Sequence, residues 1–528
     1  MTKIPDVLFG QSYFLKFDPK LWFAMQPYPP LGTLYAASFA RDNGYSVALF
    51  DAMLANSEEE WAQALDLHHP KFAVIYEDSF NYLTKMCLLR MREAAFTMIE
   101  KAKERRITTI VSGSDASDHA ETYLRQGADY VVRGEGEITL VELLDALSGR
   151  TNYSVGEILG LAFLEEDKSG AFQGKDGLRS GTVRITPERP DIRDLDVLPF
   201  PAWDLVDVSR YREIWLERHG YYSMNMVTTR GCPFHCNWCA KPIWGQRYNS
   251  RSAENVVAEL CWLQENFQPD HIWFADDIFG LKPGWFHRFA DLLENNDSRI
   301  PFKCLSRADL ILRDDGDIDA LKRAGCEILW MGAESGSQNI LNAMEKGTTV
   351  EQIYEASIKL RARGIKVALF LQFGYPGETR ADIDMTLQMV RDIMPDDVGM
   401  SVSYPLPGTR FYENVSEQMG DKQNWTDSSD LAMMYEGPFS TDFYRQLHVV
   451  LHKEFRSRKG WREIKGLLSR PKDLKARHLR EAVAIIYRLG TLPYERFKLN
   501  QSANKPHQPV GPLPHMPLDQ AAQPTPQD

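Results

Sequence analysis

The 528-residue sequence predicts an α/β protein with three parts: an N-terminal doubly wound, Rossmann-like domain, a partial (β/α)6 barrel, and a C-terminal helical cap. Three observations predict it. Residues 1–150 alternate strand-like and helix-like segments. Residues 221–410 do so again, with polar or glycine-rich groups at every strand end. Residues 411–500 carry no strand pattern and are rich in aromatics. Residues 151–220 are expected to link the first two parts. Residues 501–528, rich in Pro and Gln, are expected to be a disordered tail.

In the first series, strands "DVLFG", "YSVALFD", "KFAVIYE", "ITTIVSG" and "DYVVRG" are separated by helical patterns. The longest of these, "YLTKMCLLRMREAAFTMIEKAKERR", is expected to be one helix over residues 82–106. Five such strands read as a doubly wound sheet, which binds ligands beyond its carboxyl ends. Those ends are "GQSY", "DAMLAN", "EDSFN", "GSDASDH" and "GEGE". No G-x-G-x-x-G follows the first strand, so a dinucleotide is not expected. In the link, "GEILGLAFLEEDKSG" reads as hairpin-like.

In the second series the strands are "YSMNMVTT", "HIWFA", "PFKCLS", "EILWMGAE", "IKVALFLQFG" and "DVGMSVSY". The helix after the first buries Val256, Val257 and Leu260, with Ser252 as its N-cap. Barrels of this kind carry their chemistry at the C-terminal strand ends. Here those ends are a cysteine loop, Asp276-Asp277, Ser306-Arg307, "GAESGS" with Glu334, "GYPGET" and "YPLPGT". In the cap, Trp425, Tyr435, Phe439, Phe443, Tyr444 and Trp461 are expected as core. Residues 453–498 are basic, which suits a solvated face or contact with anionic lipid or a partner.

Three of the seven cysteines, Cys232, Cys236 and Cys239, fall within eight residues. A disulfide leaves one over. Structural zinc wants four ligands, and His235 would have to bend back to be the fourth. An iron–sulfur cluster held by three thiolates keeps one iron open. Cys87, Cys261, Cys304 and Cys326 do not cluster and are expected as core.

The spacing C-x3-C-x2-C, with Trp238 before the last cysteine and at the end of a barrel's first strand, resembles the radical S-adenosylmethionine enzymes. The resemblance implies a [4Fe-4S] cluster on Cys232, Cys236 and Cys239, with S-adenosyl-L-methionine on the open iron. Reductive cleavage of its sulfonium then releases a 5'-deoxyadenosyl radical. The resemblance places Trp238 at the adenine and Glu334 at the ribose or amino group. It places Gly374, in "FLQFGYPGE", under the adenine. Arg307 is expected at the methionine carboxylate, and Asp276 or Asp277 at its amine or the substrate.

"PPLGTLYAASFARDNGYSVALFDA" and "VSGSDASDHAETYLRQGADYVVRGEGEITLVELLDAL" resemble the cobalamin-binding domain fused ahead of such barrels. This implies a cobalamin site involving Pro30, Gly32, Asp51, Gly113, Ser114, Gly134, Glu135 and Gly136. No D-x-H-x-x-G is present: Asp66-Leu67-His68 lacks the glycine, and His119 stands outside any such motif. Cobalt is therefore expected without a protein histidine. A domain that keeps the fold and has lost the cofactor is the other reading.

The expected function is methyl transfer to an unactivated carbon of a small molecule. The alternatives are cobalamin-dependent oxidation, cyclisation or rearrangement, and a non-catalytic cobalamin sensor. No residue names a catalytic base or a substrate. A low-potential donor of the flavodoxin or ferredoxin type is the expected partner. The net charge of −12 argues against a nucleic-acid partner. The N-terminus, "MTKIPDVLFGQSYF", is not signal-like, and no apolar window reaches the ~18 residues of a spanning helix. A cytoplasmic enzyme is expected, with peripheral membrane contact through the basic segment left open.

Overall fold

Strands β1 (Val7–Gly10), β2 (Val47–Leu49), β3 (Phe72–Tyr76), β4 (Thr108–Ser112) and β5 (Tyr130–Val132) form a parallel sheet in the order β2-β1-β3-β4-β5. This computed structural model describes residues 4–165, 179–239, 243–468 and 476–503. All five residues of β3 are buried, as a strand covered on both faces requires. Most of the expected tail, residues 504–528, lies outside the described residues.

Two expectations are corrected. First, the sheet does not end at residue 150. β6 (Leu161–Glu165) and β7 (Thr182–Ile185), from the expected link, continue it antiparallel beyond β5. Pairing Val131 with Ala162 and Val132 with Leu161 removes an otherwise open apolar edge. Second, residues 82–106 form two helices, Tyr82–Met86 and Leu89–Glu104, broken at Cys87, whose φ is +51°. Contacts distant in sequence hold the break open. The Asn424 amide donates to the Cys87 carbonyl at 2.8 Å, and the Leu89 N–H donates to the Trp425 carbonyl. Neither contact is visible in a local helical pattern.

The second sheet contains β8 (Ser223–Met226), then, after a short ribbon of β9 (Thr229–Arg230) and β10 (Asn249–Ser250), β11 (His271–Phe274), β12 (Phe302–Ser306), β13 (Cys326–Glu334), β14 (Lys366–Phe373) and β15 (Asp397–Val402). Its six strands are parallel and lie in sequence order from β8 to β15, the open arc of a partial barrel. Helix Ala253–Phe267 begins at Ser252, whose hydroxyl accepts from the Asn255 N–H, and it buries Val256, Val257, Leu260 and Leu263.

The cap ends in two long helices, Thr441–Leu468 and Ala476–Ser502. They run antiparallel: Gln446 bonds Glu495, while Gly460 packs on Ile485. Trp425, Tyr435, Phe443 and Tyr444 are buried as expected, but Trp461 is 61% exposed. One apolar core joins the parts. It includes Leu34, Tyr35 and Phe80 of the first domain, Trp203, Tyr211 and Trp215 of the link, Met224 and Trp244 of the barrel, and Tyr444 of the cap. The link is thus mortar between the sheets, with those three aromatics fully buried.

Candidate functional site

The cysteine loop is an excursion closed at its base. β9 and β10 pair antiparallel, Thr229 opposite Ser250 and Arg230 opposite Asn249, on either side of residues 231–248. Gly231 turns the chain with φ +81°, and a Cβ there would lie 2.4 Å from the Arg247 carbonyl oxygen, so only glycine fits. Asp276, at the end of β11, holds the strand leading in. It accepts from the backbone N–H and hydroxyl of both Thr228 and Thr229, at 2.7–3.0 Å. Burial raises its pKa to about 6 even against these four bonds. The carboxylate expected at S-adenosylmethionine is therefore turned to the loop's base. Its neighbour Asp277 pairs with Lys85 of the first domain.

Around the loop, side chains from three strand ends converge. Cys236 is buried, and the Arg307 guanidinium lies 3.7 Å from its sulfur and 3.7 Å from the centroid of the Phe234 ring. Arg307 also pairs with Asp309 and donates to the Lys346 carbonyl at 2.8 Å. Glu334 ends β13 in the left-handed region, φ +58°, and accepts from the Lys346 ammonium at 2.8 Å. Both of these side chains are buried. Burial opposes the charge on Lys346, but Glu334 and Cys236 outweigh it and hold its pKa above the ordinary value. Gly332 makes room for this pair, since a Cβ there would lie 2.6 Å from Glu334 Oε1 and 2.9 Å from Lys346 Nζ. Lys346 is a functional candidate that the sequence reading misses, because "AMEKGTT" has no motif spacing, while Gly332 stands just before "GAESGS" begins its turn, in a stretch read only for Glu334.

One of the three thiols, Cys236, has two buried cations, Arg307 and Lys346, acting on it, which suits a thiolate ligand, since nearby positive charge favours the thiolate. Three local donors without a fourth match a cluster that keeps one iron open. Cys304 and Cys326 are buried within β12 and β13, and Cys261 sits on a helix, as expected of core cysteines. Trp238 is half-buried, and its indole N–H has no partner among the described residues. Tyr82 of the first domain faces the same region. Burial first, then Cys239 and Glu334, push its hydroxyl pKa up. Yet Tyr82 is 54% exposed. These features fit S-adenosylmethionine beside a cluster.

Gly374, expected under the adenine, packs against the cap. Its φ is +81°, and a Cβ there would meet Met433 Sδ at 3.0 Å and Tyr444 at 3.3 Å. Its N–H donates to Glu378 at 2.7 Å and its carbonyl accepts from the Tyr435 hydroxyl. This glycine is packed into the cap.

The expected cobalamin residues divide in two. Some are engaged within the fold. Gly32 donates to Asp78 at 3.0 Å and lies against the backbone of Asp78 and Ser79, beside Pro30 at the helix start. Asp51 accepts from the Tyr211 hydroxyl at 2.8 Å, and burial raises its pKa to about 6. A Cβ on Gly113 would strike Glu77, and one on Gly136 would strike Tyr76 and Ser112. Glu135 is bound by Arg230 and by the Ile192 N–H. Glu137 joins it on the same guanidinium at 2.6 Å. The "GEGE" turn is thus gripped by the residue that opens the cysteine loop.

The others are Gly134 and Ser114. A Cβ on Gly134, φ +71°, would meet nothing within 4 Å. The Ser114 hydroxyl donates to the Lys85 carbonyl, beside Thr84, whose own buried hydroxyl has no partner among the described residues. Lys85, Cys87, Asp118 and His119 face Tyr404, Pro405 and Leu406 across a cavity of about 30 Å³. An open glycine turn and an orphaned hydroxyl at the strand ends fit a polar ligand held between the sheets.

The comparisons agree with this architecture. The family profile described as B12 binding domain matches residues 24–144, and that described as Radical SAM superfamily matches residues 226–390. The chain is 28% identical over 405 residues to an uncharacterized methyltransferase of Pyrococcus horikoshii, covering 75% of this chain and 81% of that one. It is 25% identical over 403 residues to the anaerobic magnesium-protoporphyrin IX monomethyl ester cyclase of Rubrivivax gelatinosus, covering 75% and 67%. It is 25% identical over 447 residues to the hopanoid C-3 methylase of Methylococcus capsulatus, covering 83% and 79%. Among solved structures, the cobalamin-dependent S-adenosylmethionine radical enzyme OxsB aligns with a TM-score of 0.67 at 17% identity, over 94% of this chain and 72% of that one. Two profiles in this order, on these two sheets, place the chain among the cobalamin-binding radical S-adenosylmethionine enzymes, whose cofactors are a [4Fe-4S] cluster, S-adenosyl-L-methionine and cobalamin.

Proposed function

We propose that the protein transfers a methyl group to an unactivated carbon of a small-molecule substrate in the cytoplasm, fed by a flavodoxin- or ferredoxin-type donor. The observation that carries this reading is the facing of the two sheets' strand ends, with Lys85 of one paired to Asp277 of the other and Glu135 and Glu137 held on Arg230. Its support among relatives is the hopanoid C-3 methylase and the methyltransferase of Pyrococcus horikoshii.

The cluster and S-adenosylmethionine supply one-electron cleavage of the sulfonium, and cobalamin supplies a methyl carrier. Cys232, Cys236 and Cys239 would hold the cluster, with Arg307 stabilising Cys236 as thiolate. Glu334 would accept from the ribose or amino groups, oriented by Lys346. Trp238 would donate its indole N–H to the same ligand. Asp276 would hold the loop without touching it. Pro30, Gly32, Gly113, Ser114, Gly134 and Gly136 would shape the cobalamin side. Asp51 and Glu135 would fix that side to the link and the barrel. Closure of the strand ends on one another would orient the substrate against both cofactors.

The cyclase of Rubrivivax gelatinosus favours a second reading, in which the same machinery oxidises or cyclises without methylation. Isotope-labelled S-adenosylmethionine, reductant and a cell extract separate the two. Methylation consumes two molecules of S-adenosylmethionine and yields 5'-deoxyadenosine and S-adenosylhomocysteine in equal amounts, with label in a product. Deoxyadenosine without S-adenosylhomocysteine and without transferred label overturns methylation and supports the second reading.

A further inference from the structure

Helix Ala476–Ser502 is apolar on two faces. Its inner face buries Ile485, Leu492 and Leu499, seven residues apart, against the rest of the cap. Its outer face exposes Val483, Ile486, Tyr487, Tyr494 and Phe497, each between 52% and 72%. At 3.6 residues per turn these positions, with Gly490 and Pro493 between them, fall in one stripe about 120° wide and ~21 Å long. A surface stripe of this size on a solvated helix calls for an occupant.

The charges around the stripe select that occupant. Both acidic residues whose side chains are described on this helix turn inward. Glu481 pairs with Arg488, and Glu495 pairs with Lys453 and accepts from Gln446. Arg480 and Lys498 lie together along one edge of the stripe, while Arg496 is turned back onto Glu454 of the companion helix at 2.7 Å. Lys498 rides over the Tyr494 ring at 4.3 Å. Segment 453–498 holds fourteen Lys and Arg against five Asp and Glu, in a chain whose net charge is −12. On the companion helix, exposed Trp461 stands next to Gly460, which packs on Ile485, so an aromatic and the exposed Arg458, Arg462 and Lys465 lie at the same end of the hairpin.

An apolar stripe with Tyr and Phe, flanked by Arg and Lys and without an exposed carboxylate within it, is the pattern of a helix that lies in a lipid headgroup layer. No described helix is long and apolar enough to cross a membrane. We propose that this helix hairpin docks the enzyme on an anionic membrane surface, with the 483–497 stripe inserted and the flanking cations on lipid phosphates. The proposal does not depend on which reaction the barrel performs.

Co-sedimentation of the full chain with phosphatidylcholine vesicles, with and without phosphatidylglycerol, tests it. Wild type should bind the anionic vesicles at least about tenfold more tightly than neutral ones, and added salt should weaken binding. Ile486→Ser/Tyr494→Ser/Phe497→Ser should lose at least about tenfold on anionic vesicles, since it removes three inserted side chains. Arg480→Glu should reduce only the anionic preference. All three changed side chains are exposed, so cluster content and the thermal midpoint should stay at wild-type values. Equal binding by wild type and the triple variant, or no binding by wild type, overturns the proposal. If wild type is a dimer by light scattering and the triple variant a monomer, with no vesicle binding, the stripe joins two copies of this chain instead.

Discussion

Arg230 donates to Glu137 at 2.6 Å and to Glu135 beside it, and all three side chains are no more than 5% exposed. The pair joins the turn after β5 to the residue before Gly231, where the cysteine loop begins. Tyr35, Phe80 and Trp244 ring the guanidinium within 5.8 Å. Burial disfavours its charge, but Glu137 and Glu135 outweigh burial and hold its pKa above the ordinary arginine value. Removing one partner from such a group leaves buried charge uncompensated. Arg230→Met should therefore destabilise the chain by about 3–5 kcal/mol in urea melts. Adding Glu135→Gln and Glu137→Gln should recover a large part of that loss. No recovery would show that the ion pair is not what Arg230 contributes.

Anaerobic reconstitution should give about four irons per chain, as one cubane cluster requires. Any one of Cys232→Ala, Cys236→Ala and Cys239→Ala should abolish the visible absorbance. Cys304→Ala, buried in β12, should keep the iron. A full cluster in the Cys232/Cys236/Cys239 triple variant would refute the assignment.

Lys346→Met should act through Glu334. The lysine holds that buried carboxylate at 2.8 Å, so its loss should raise the Kd for S-adenosylmethionine at least about tenfold while leaving iron content unchanged. Lys346→Arg should rescue part of the affinity, because it restores the charge. Equilibrium dialysis reads the effect, and an unchanged Kd in Lys346→Met would remove the lysine from the account.

Acidification should stabilise the cluster-free chain between pH 8 and pH 5. Burial raises Glu77 to about 7, against the bonds it accepts from Ser12, and raises Asp78 and Asp276 to about 6. These folded-state values lie above the unfolded ones. The folded chain therefore binds more protons, and this stability is fully present below pH 4 and lost as pH rises through 6 to 7. Glu77→Gln should flatten the pH slope of the thermal midpoint, by up to about 3 kcal/mol for a shift of this size. An unchanged slope would remove Glu77 from the account.

Hydroxocobalamin should bind the full chain without a protein imidazole on cobalt. The sequence has no D-x-H-x-x-G. His119, which lines the cavity opposite Tyr404, lies 3.7 Å from buried Asp115, itself paired with Arg92. Paramagnetic resonance of the reduced corrinoid should show no superhyperfine splitting from a protein nitrogen, and His119→Ala should leave the spectrum unchanged. A splitting lost in His119→Ala would reverse the prediction. The full chain is required because Leu34, Tyr35 and Phe80 belong to a core shared with the barrel.

By itself, the sequence determined the order of strands and helices in both sheets, the cysteine loop and its place at the first barrel strand. Periods of 2 and 3.6 are local, and glycine and cysteine spacings are read within a dozen residues. Only the tertiary structure decided what the charged groups do. Arg230 and Glu135 are ninety-five positions apart, so no window contains both. Asp276 was legible as a strand-end acid, but only the fold shows its four bonds to Thr228 and Thr229, which tie it to the base of the cysteine loop. Lys346 had no motif, and became visible only where a chain reversal laid it on Glu334. The break at Cys87 and the pairing of β6 to β5 arise in the same way. Propensity favours one long helix and a bare edge, and contacts with Asn424 and Leu161 override it because buried backbone groups must find partners wherever the fold supplies them.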